Sequence, residues 1–181
     1  MKVFALLVSF IAVFTLAATP GLGEKKMELS SPAFNDGAKI PTQYTMPGAG
    51  GKNVSIPLNW TSPPEGAKSF ALSIVDPHPV AKNWVHWLVI NIPADTKSLE
   101  EGASKKGMPQ GSNELANSFG DTGYGGPQPP KGTGDHPYVI TLYALDAAKL
   151  DLGTNTSLGA FLDAIKGKVL GEASITGYYS Q

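Results

Sequence analysis

Five short apolar segments, each bounded by glycine, proline or other turn-forming residues, point to a fold built mainly from β-strands. The segments are residues 54–60, 69–76, 85–93, 138–145 and 169–179. Segment 54–60 alternates apolar and polar side chains, whereas segment 85–93 is apolar on both faces and is expected at the centre of a sheet. The predicted fold class is therefore mainly β, an antiparallel sandwich or a related Greek-key sheet.

The chain also carries one helix signal. Residues 158, 161, 162 and 165 are apolar and fall on one face of a helix predicted over 156–167. A Thr or Asn residue precedes this run as a cap, and Gly167 follows it. Residues 94–119 show no strong period and are predicted to form a long excursion over the surface.

The first residues have the pattern of a secretory signal peptide. A basic start is followed by an uncharged apolar run over residues 3–18 and then by small residues and a proline. The alternative, a membrane anchor, needs about 20 apolar residues, and this run is shorter. We expect a signal peptide at 1–18, with cleavage after Ala18 or as late as Gly23. A single domain over 19–181 would then act in the periplasm or outside the cell, without a stable membrane anchor.

Composition excludes several classes of function. The chain has 0 Cys, so an exported domain has to fold without disulfides, and no lipidated cysteine is expected. Its 14 basic residues are all lysines and are balanced by 15 acidic residues, so no nucleic-acid partner is predicted. Without arginine there is no bidentate fork for phosphate, and any anion site has to use histidine, tyrosine, lysine or backbone N–H groups. No cofactor is predicted.

Polar side chains stand where three of the predicted strands begin or end. Asp76 closes the apolar row of segment 69–76, and His86 is in phase with residues 88, 90 and 92. His136 and Tyr138 open the strand that continues to residue 145. Because side chains two apart share one face of a strand, these polar groups are expected at the mouth of a core.

The loop before the strand at 138–145 is rich in residues that shape a backbone. Ten of the twenty residues in 119–138 are glycine or proline. Glycine lets a backbone approach a ligand closely, and proline stiffens the chain. The loop is therefore expected to hold one shape and to deliver His136 to the strand.

Two blocks of sequence resemble a known family. The first block has Asp-Pro-His-Pro at 76–79 and Trp-Val-His-Trp at 84–87, leading into Asn-Ile-Pro. The second has Tyr-Gly-Gly-Pro-Gln-Pro-Pro at 124–130 and Gly-Asp-His-Pro-Tyr at 134–138. Their order and spacing resemble the phosphatidylethanolamine-binding protein family, also called Raf kinase inhibitor-like proteins, and the chain is similar to the short bacterial form.

The resemblance implies two antiparallel sheets in Greek-key connection, one or two short helices, and a small anion pocket at one end. The ligand-binding residues that it implies are Asp76, His86, His136 and Tyr138, with Trp84, Gly126 and Pro127 as the wall. The sequence departs from the family pattern where His78 replaces an aspartate and Pro137 replaces an arginine. These changes remove an acid and a guanidinium, so the ligand preference is expected to differ.

The function predicted from these residues is binding of a small phosphoryl or carboxylate anion. Imidazole N–H groups, the Tyr138 hydroxyl and loop amides are the expected donors. Asp76 is expected to orient one histidine and to favour its charged form, so that anions bind better at mildly acidic pH.

An alternative function is a protein-interaction or inhibitory module acting on an envelope or secreted enzyme, such as a kinase or protease. The rigid loop and the pocket rim would be its docking surface, and the resemblance also suggests a homodimer. No metal site is predicted, because the spacing of the histidines and Asp76 matches no ligand motif. No enzyme is predicted, because a Gly-x-Ser-x-Gly motif is absent, although an Asp–His pair acting as a general base stays open.

Overall fold

The structure, a computed structural model, describes residues 25–181 and places them in two antiparallel β-sheets and one α-helix. The predicted mainly β fold is confirmed. The predicted signal peptide and both predicted cleavage points lie outside the described residues. Within 25–181, no helix combines the length and the apolar character needed to cross a membrane.

Eight strands and one helix make up the described fold. The smaller sheet contains β1 (Glu28–Ser30), β2 (Leu58–Thr61) and β5 (Ser98–Leu99), in the order β1-β2-β5. The larger sheet has the order β6-β4-β3-β7-β8 and contains β3 (Ser69–Asp76), β4 (Trp84–Pro93), β6 (Asn113–Glu114), β7 (His136–Leu145) and β8 (Val169–Tyr179). The helix α1 spans Leu158–Ile165, and two short 3₁₀ turns lie at Thr42–Tyr44 and Pro47–Ala49.

Strands β3 and β7 are neighbours in the larger sheet although they are far apart in the sequence. Ser69 lies opposite Leu145, and Val75 lies opposite Val139. Such pairing of non-consecutive antiparallel strands is what a Greek-key connection produces. It brings the end of β3 beside the start of β7.

The main hydrophobic core lies between the two sheets. Alternate residues of β3 and β7 point into it, as the period of two requires. Together with residues from the smaller sheet they include Phe70, Leu72, Ile74, Ile140, Leu142, Leu58, Trp60 and Leu99. The polar residues Asp76 and Tyr138 therefore lie at one end of this buried row.

The segment at 94–119 is more than the predicted surface excursion. It contributes β5 and β6, and both Leu99 and Leu115 are buried. Leu99 lies opposite Leu58 in the smaller sheet, and the Leu115 N–H donates to the Leu88 carbonyl at 2.9 Å. The two strands were missed because two residues each are too few to show a period.

A second core lies on the outer face of the larger sheet, under α1. Phe161 and Ile165 are buried there with Leu88 and Ile90 of β4. The cap of α1 is Ser157, whose hydroxyl oxygen accepts a hydrogen bond from a backbone N–H of the first turn, rather than the predicted Thr or Asn.

His86 lies in a β-bulge. Ile74 of β3 lies opposite Trp87, but the next residue, Val75, lies opposite Val85. Strand β4 therefore has one extra residue at this point. Bulges of this kind bend a strand and re-aim a side chain.

The bulge turns His86 toward the main core. Trp87 belongs to the main core, whereas Leu88 and Ile90 belong to the outer core. The His86 ring meets the ring of Tyr138, a main-core residue, edge to face with centroids 4.9 Å apart. The prediction that His86 shares a face with residues 88 and 90 is wrong, because the bulge breaks the regular alternation between them.

Replacing Phe161 with alanine is expected to destabilise the fold by about 3–5 kcal/mol, because it empties a fully buried aromatic site under α1. The matched control is Leu162→Ala, since Leu162 is 42% exposed on the same helix. This control is expected to change the free energy of unfolding by less than about 1 kcal/mol. Urea unfolding followed by fluorescence measures both variants, and equal losses would contradict the placement of α1.

Candidate functional site

A cavity of about 340 Å³ opens at one end of the larger sheet, where β3 ends and β4 and β7 begin. Antiparallel pairing brings these strand ends together. The polar residues that line the cavity are Asp76, His86, Gln128, His136 and Tyr138. The apolar lining consists of Val80, Ala81, Trp84, Phe119, Pro129 and Pro130.

Five of the predicted site residues line this cavity. Asp76 is the last residue of β3, and Trp84 is the first residue of β4. His86 reaches the cavity from the bulge in β4, while His136 and Tyr138 come from the start of β7. The structure therefore brings together side chains that lie up to about sixty residues apart in the sequence.

Gly126 and Pro127, predicted as part of the wall, are not among the lining residues. The Gly126 N–H donates to Asn53 Oδ1 at 2.7 Å, and a Cβ on Gly126 would collide with the backbone of Tyr44. The Pro127 carbonyl accepts from the Met46 N–H at 3.0 Å. These two residues fasten the loop to a neighbouring segment, and the three residues that follow them form the wall.

Asp76 and His136 form a buried hydrogen-bonded pair. His136 Nδ1 lies 2.6 Å from Asp76 Oδ2, and the two side chains are 1% and 4% exposed. His136 Nε2 lies 2.9 Å from Thr133 Oγ1, while the Thr133 hydroxyl donates its own proton to the Pro130 carbonyl at 2.7 Å. Thr133 Oγ1 can then only accept from His136, so His136 Nε2 carries a proton and donates it.

His78 covers the pair formed by Asp76 and His136. Its ring stacks on the His136 ring with centroids 3.8 Å apart and an angle of 24° between the planes. The His78 N–H donates to Asp76 Oδ1 at 2.9 Å, and His78 Nδ1 accepts from the Val80 N–H at 3.3 Å. The residue that departs from the family pattern thus adds an aromatic cover where an aspartate would add a negative charge.

Gly125 holds His86 through two hydrogen bonds. The Gly125 N–H donates to the His86 carbonyl at 2.8 Å, and His86 Nδ1 donates to the Gly125 carbonyl at 2.6 Å. A carbonyl oxygen cannot donate, so Nδ1 carries the proton. Burial lowers the pKa of His86 to about 4, although the Gly125 carbonyl and the Asp76 carboxylate oppose this shift. His86 is therefore neutral near pH 7, and its Nε2 is an acceptor.

The Tyr138 hydroxyl and His86 Nε2 have no hydrogen-bond partner in the described part of the chain. Within that part, the side-chain polar atoms that are both fully buried and unpartnered belong to Trp60 and Ser112. The Tyr138 hydroxyl and His86 Nε2 do not belong to this buried set. Both are therefore open to the cavity that their residues line. Burial raises the pKa of Tyr138, and the nearby Asp76 carboxylate adds to this shift, so the hydroxyl keeps its proton.

Apolar side chains form the mouth of the cavity. Val80, Trp84 and Phe119 are 51%, 37% and 36% exposed. Phe119 meets Trp84 and His86 edge to face, with centroids 5.3 and 5.7 Å apart. Val80 and Phe119 were not among the predicted site residues, although an aromatic residue at the start of the glycine- and proline-rich loop is a signal that could have indicated Phe119.

The cavity offers little positive charge. No lysine lines it among residues 25–181, and its acidic residue, Asp76, is paired with His136. Loop amides were expected to bind an anion, but the N–H groups of Gly125 and Gly126 in this loop are already bonded within the protein. In the described chain, no group of three or more His, Asp or Glu residues is placed to hold a metal ion. The site is suited to holding a polar group by hydrogen bonds.

These features define a mainly β protein with a ligand-sized cavity at one end of its larger sheet. The profile of the phosphatidylethanolamine-binding protein family matches residues 30–180. The chain belongs to this family, and the resemblance seen in the two sequence blocks is confirmed. Members of the family are binding proteins, which agrees with the prediction that the chain is not an enzyme.

Relatives and solved structures agree with this assignment. The UPF0098 protein of Methanothermobacter thermautotrophicus is 45% identical over 154 residues, which cover 84% of this chain and 98% of that protein. LppC of Mycobacterium tuberculosis, whose name marks it as a candidate lipoprotein, is 39% identical over 163 residues, covering 90% of this chain and 77% of LppC. The crystal structure of Escherichia coli YbcL is 32% identical, covers 87% of this chain and 99% of YbcL, and has a TM-score of 0.82.

The buried neutral state of His86 is expected to make the stability depend on pH. Its folded pKa of about 4 lies below the ordinary value of 6.5, so the unfolded chain binds a proton that the folded chain excludes. The free energy of unfolding should therefore fall by about 3 kcal/mol as the pH falls from 6.5 to 4. Urea unfolding at several pH values measures this slope.

A His86→Gln variant should be less stable at pH 7 but should lose less stability on acidification. The matched control is His78→Gln, which removes a histidine that is only partly buried and stacks on His136 at the same end of the sheet. A slope that is the same in the wild type and in His86→Gln would show that His86 is not buried in its neutral form.

Proposed function

We propose that this chain is an exported binding protein whose cavity holds a small phosphoryl or carboxylate group. The observation that carries the proposal is the grouping of Asp76, His86, His136 and Tyr138 in one cavity, although they come from three strands. The cavity volume of about 340 Å³ is typical of small-ligand sites.

Asp76, His86, His136 and Tyr138 form the polar floor of the cavity. Two groups on this floor favour binding of a ligand oxygen. The Tyr138 hydroxyl keeps its proton, is free of protein partners, and can donate to an anionic oxygen. His136 Nδ1 lies 2.6 Å from Asp76 Oδ2, so the Asp76 carboxyl group is already paired within the protein. An anion is therefore repelled less than it would be by an unpaired carboxylate.

The wall adds a further donor and an apolar surface. Gln128 lines the cavity and carries a side-chain amide. Trp84 and Phe119 lie at the mouth and exclude water from one side of a bound group. A hydrogen bond to a charged group is stronger where water is excluded.

The proposal predicts that Tyr138→Phe weakens binding of phosphate or acetate by about tenfold or more, because it removes a free donor to a charged oxygen. The matched control is Tyr143→Phe, which removes a hydroxyl from the same strand on the face that packs against Phe161 of α1. Titration calorimetry at pH 6 measures both variants. Failure of the wild type to bind any phosphoryl or carboxylate compound would overturn the proposal.

Export is the second part of the proposal. It is supported by the signal-peptide pattern of residues 1–18 and by the name of the relative LppC, which points to the cell envelope. The absence of cysteine argues against attachment through a lipidated cysteine in this chain.

The full-length chain, expressed in a bacterial host, is expected to accumulate outside the cytoplasm as a mature form that begins after Ala18 or after Gly23. Intact-mass analysis of the purified protein identifies the cleavage point. Deletion of residues 3–18 should keep the protein in the cytoplasm. A wild-type protein that retains Met1 and stays in the cytoplasm would refute this part of the proposal.

A second candidate function is an interaction or inhibitory module that docks on an envelope or secreted enzyme, or on a second copy of the chain. The observation that favours it is the exposure of Val80, Trp84 and Phe119 around the mouth of the cavity. Exposed apolar clusters often mark binding surfaces. Photo-crosslinking from position 80 in the exported protein would test it, and the absence of any crosslinked product would count against this function.

A further inference from the structure

Strand β8 lies at the edge of the larger sheet, and its outer edge is covered over only part of its length. The backbone groups of Thr176 and Tyr178 bond to segment 36–40 at 2.8 to 2.9 Å, so they point away from β7. Antiparallel pairing alternates along a strand, and therefore the N–H and C=O groups of Glu172 and Ser174 point the same way. In the described part of the chain, these groups have no hydrogen-bond partner.

A second strand edge faces this one across a groove of about 670 Å³, which is lined by residues 26–30 and 172–175. Strand β1 lies at the edge of the smaller sheet. Trp60 of β2 donates its N–H to the Lys97 carbonyl at 3.0 Å, so it bonds toward β5 and not toward β1. Leu29 lies opposite Trp60, and its backbone groups therefore point away from β2, on the side of the groove.

The groove has the form of a place for one more strand. An edge with unpaired N–H and C=O groups is a template for an added strand, and segment 36–40 already uses the same edge further along β8. An added strand of about five residues would span about 17 Å. Alternate side chains of that strand would lie on the side of Ala173 and Ile175, against Met27 and Trp60, and the others would face solvent.

The charge of the groove indicates which kind of strand it suits. Glu28, Asp36 and Glu172 line it and are exposed, whereas Lys26 is the one lysine that lines it within residues 25–181. Lys25 lies beyond Glu172, in a separate depression. The groove is therefore negative over the stretch where the backbone groups are unpaired, and complementary charge favours a basic partner.

We propose that β8 accepts an extended, basic peptide segment of another protein, which pairs with Glu172 and Ser174 and fills the groove against β1. Two other occupants match the groove less well. A second copy of the chain would bring like carboxylates together, and residues 19–24 contain a glutamate and no lysine. The inference uses no residue of the cavity at the end of the larger sheet, so it stands or falls separately from the proposed function.

The test uses the mature protein and two labelled probes, acetyl-Lys-Val-Lys-Val-Lys-Val-Lys-amide and the same peptide with glutamate in place of lysine. Fluorescence anisotropy at low salt measures their affinities. We expect the lysine peptide to bind about tenfold or more tightly than the glutamate peptide, because its charge complements the groove.

Amide hydrogen exchange followed by NMR shows whether the peptide pairs with the strand edge. At saturation with the lysine peptide, exchange of the Glu172 and Ser174 amides should slow by about tenfold, because they become hydrogen-bonded. The Thr176 amide is the internal control, since it already donates to Asp36 Oδ1 at 2.8 Å and should keep its rate.

A Glu172→Lys variant should bind the lysine peptide about tenfold more weakly, because it reverses a charge that lines the groove. The matched control is Asp163→Lys, which makes the same change of charge at an exposed position of α1 outside the groove and should bind like the wild type. Equal losses in the two variants would reduce the binding to general attraction and overturn the inference.

Three further outcomes would overturn the inference and leave the proposed function intact. The first is no binding of the lysine peptide, or equal binding of the two peptides. The second is binding without slower exchange at Glu172 and Ser174. The third is slow exchange of these amides before any peptide is added. If that protection rises with protein concentration, a second copy covers the edge, and if it does not, the chain covers its own edge.

Discussion

Two hydrogen bonds between Gly125 and His86 set the geometry of the binding end of this protein. One joins the loop to the backbone of β4, and the other fixes which ring nitrogen of His86 carries the proton. Both use main-chain atoms of Gly125. A Cβ at this position would lie 2.6 Å from the Phe119 ring, so a larger residue would displace either the loop or the aromatic mouth. The shape of the cavity and the chemistry of its floor therefore depend on one small residue.

The rest of the fold supports this contact by bringing strand ends together. The pairing of β3 with both β4 and β7 places Asp76, His86 and His136 within reach of one another. The main core behind them is apolar, so the polar groups at its end are poorly hydrated and have to satisfy one another. This accounts for the hydrogen bond between Asp76 and His136 and for the neutral state of His86.

The alternation of residues in segments 69–76 and 138–145 was sufficient to predict which residues of β3 and β7 face the main core. The bulge at His86 could not be predicted, because it is a property of how β4 pairs with β3 and not of β4 alone. The same limit applies to Gly126 and Pro127. Their composition indicates a shaped loop, but only the contacts with Asn53 and Met46 show that they anchor the loop instead of lining the cavity.

The anchoring of this loop by main-chain atoms separates two parts of the molecule that evolution can alter independently. The loop keeps its position through backbone groups of residues 125–127, so the side chains at 128–130 are free to change without moving it. Mutation there would reshape the space around a bound molecule while the titratable floor is inherited unchanged. Substitutions within such a lineage are then expected to concentrate at residues 128–130 of the wall, while the titratable residues of the floor stay the same.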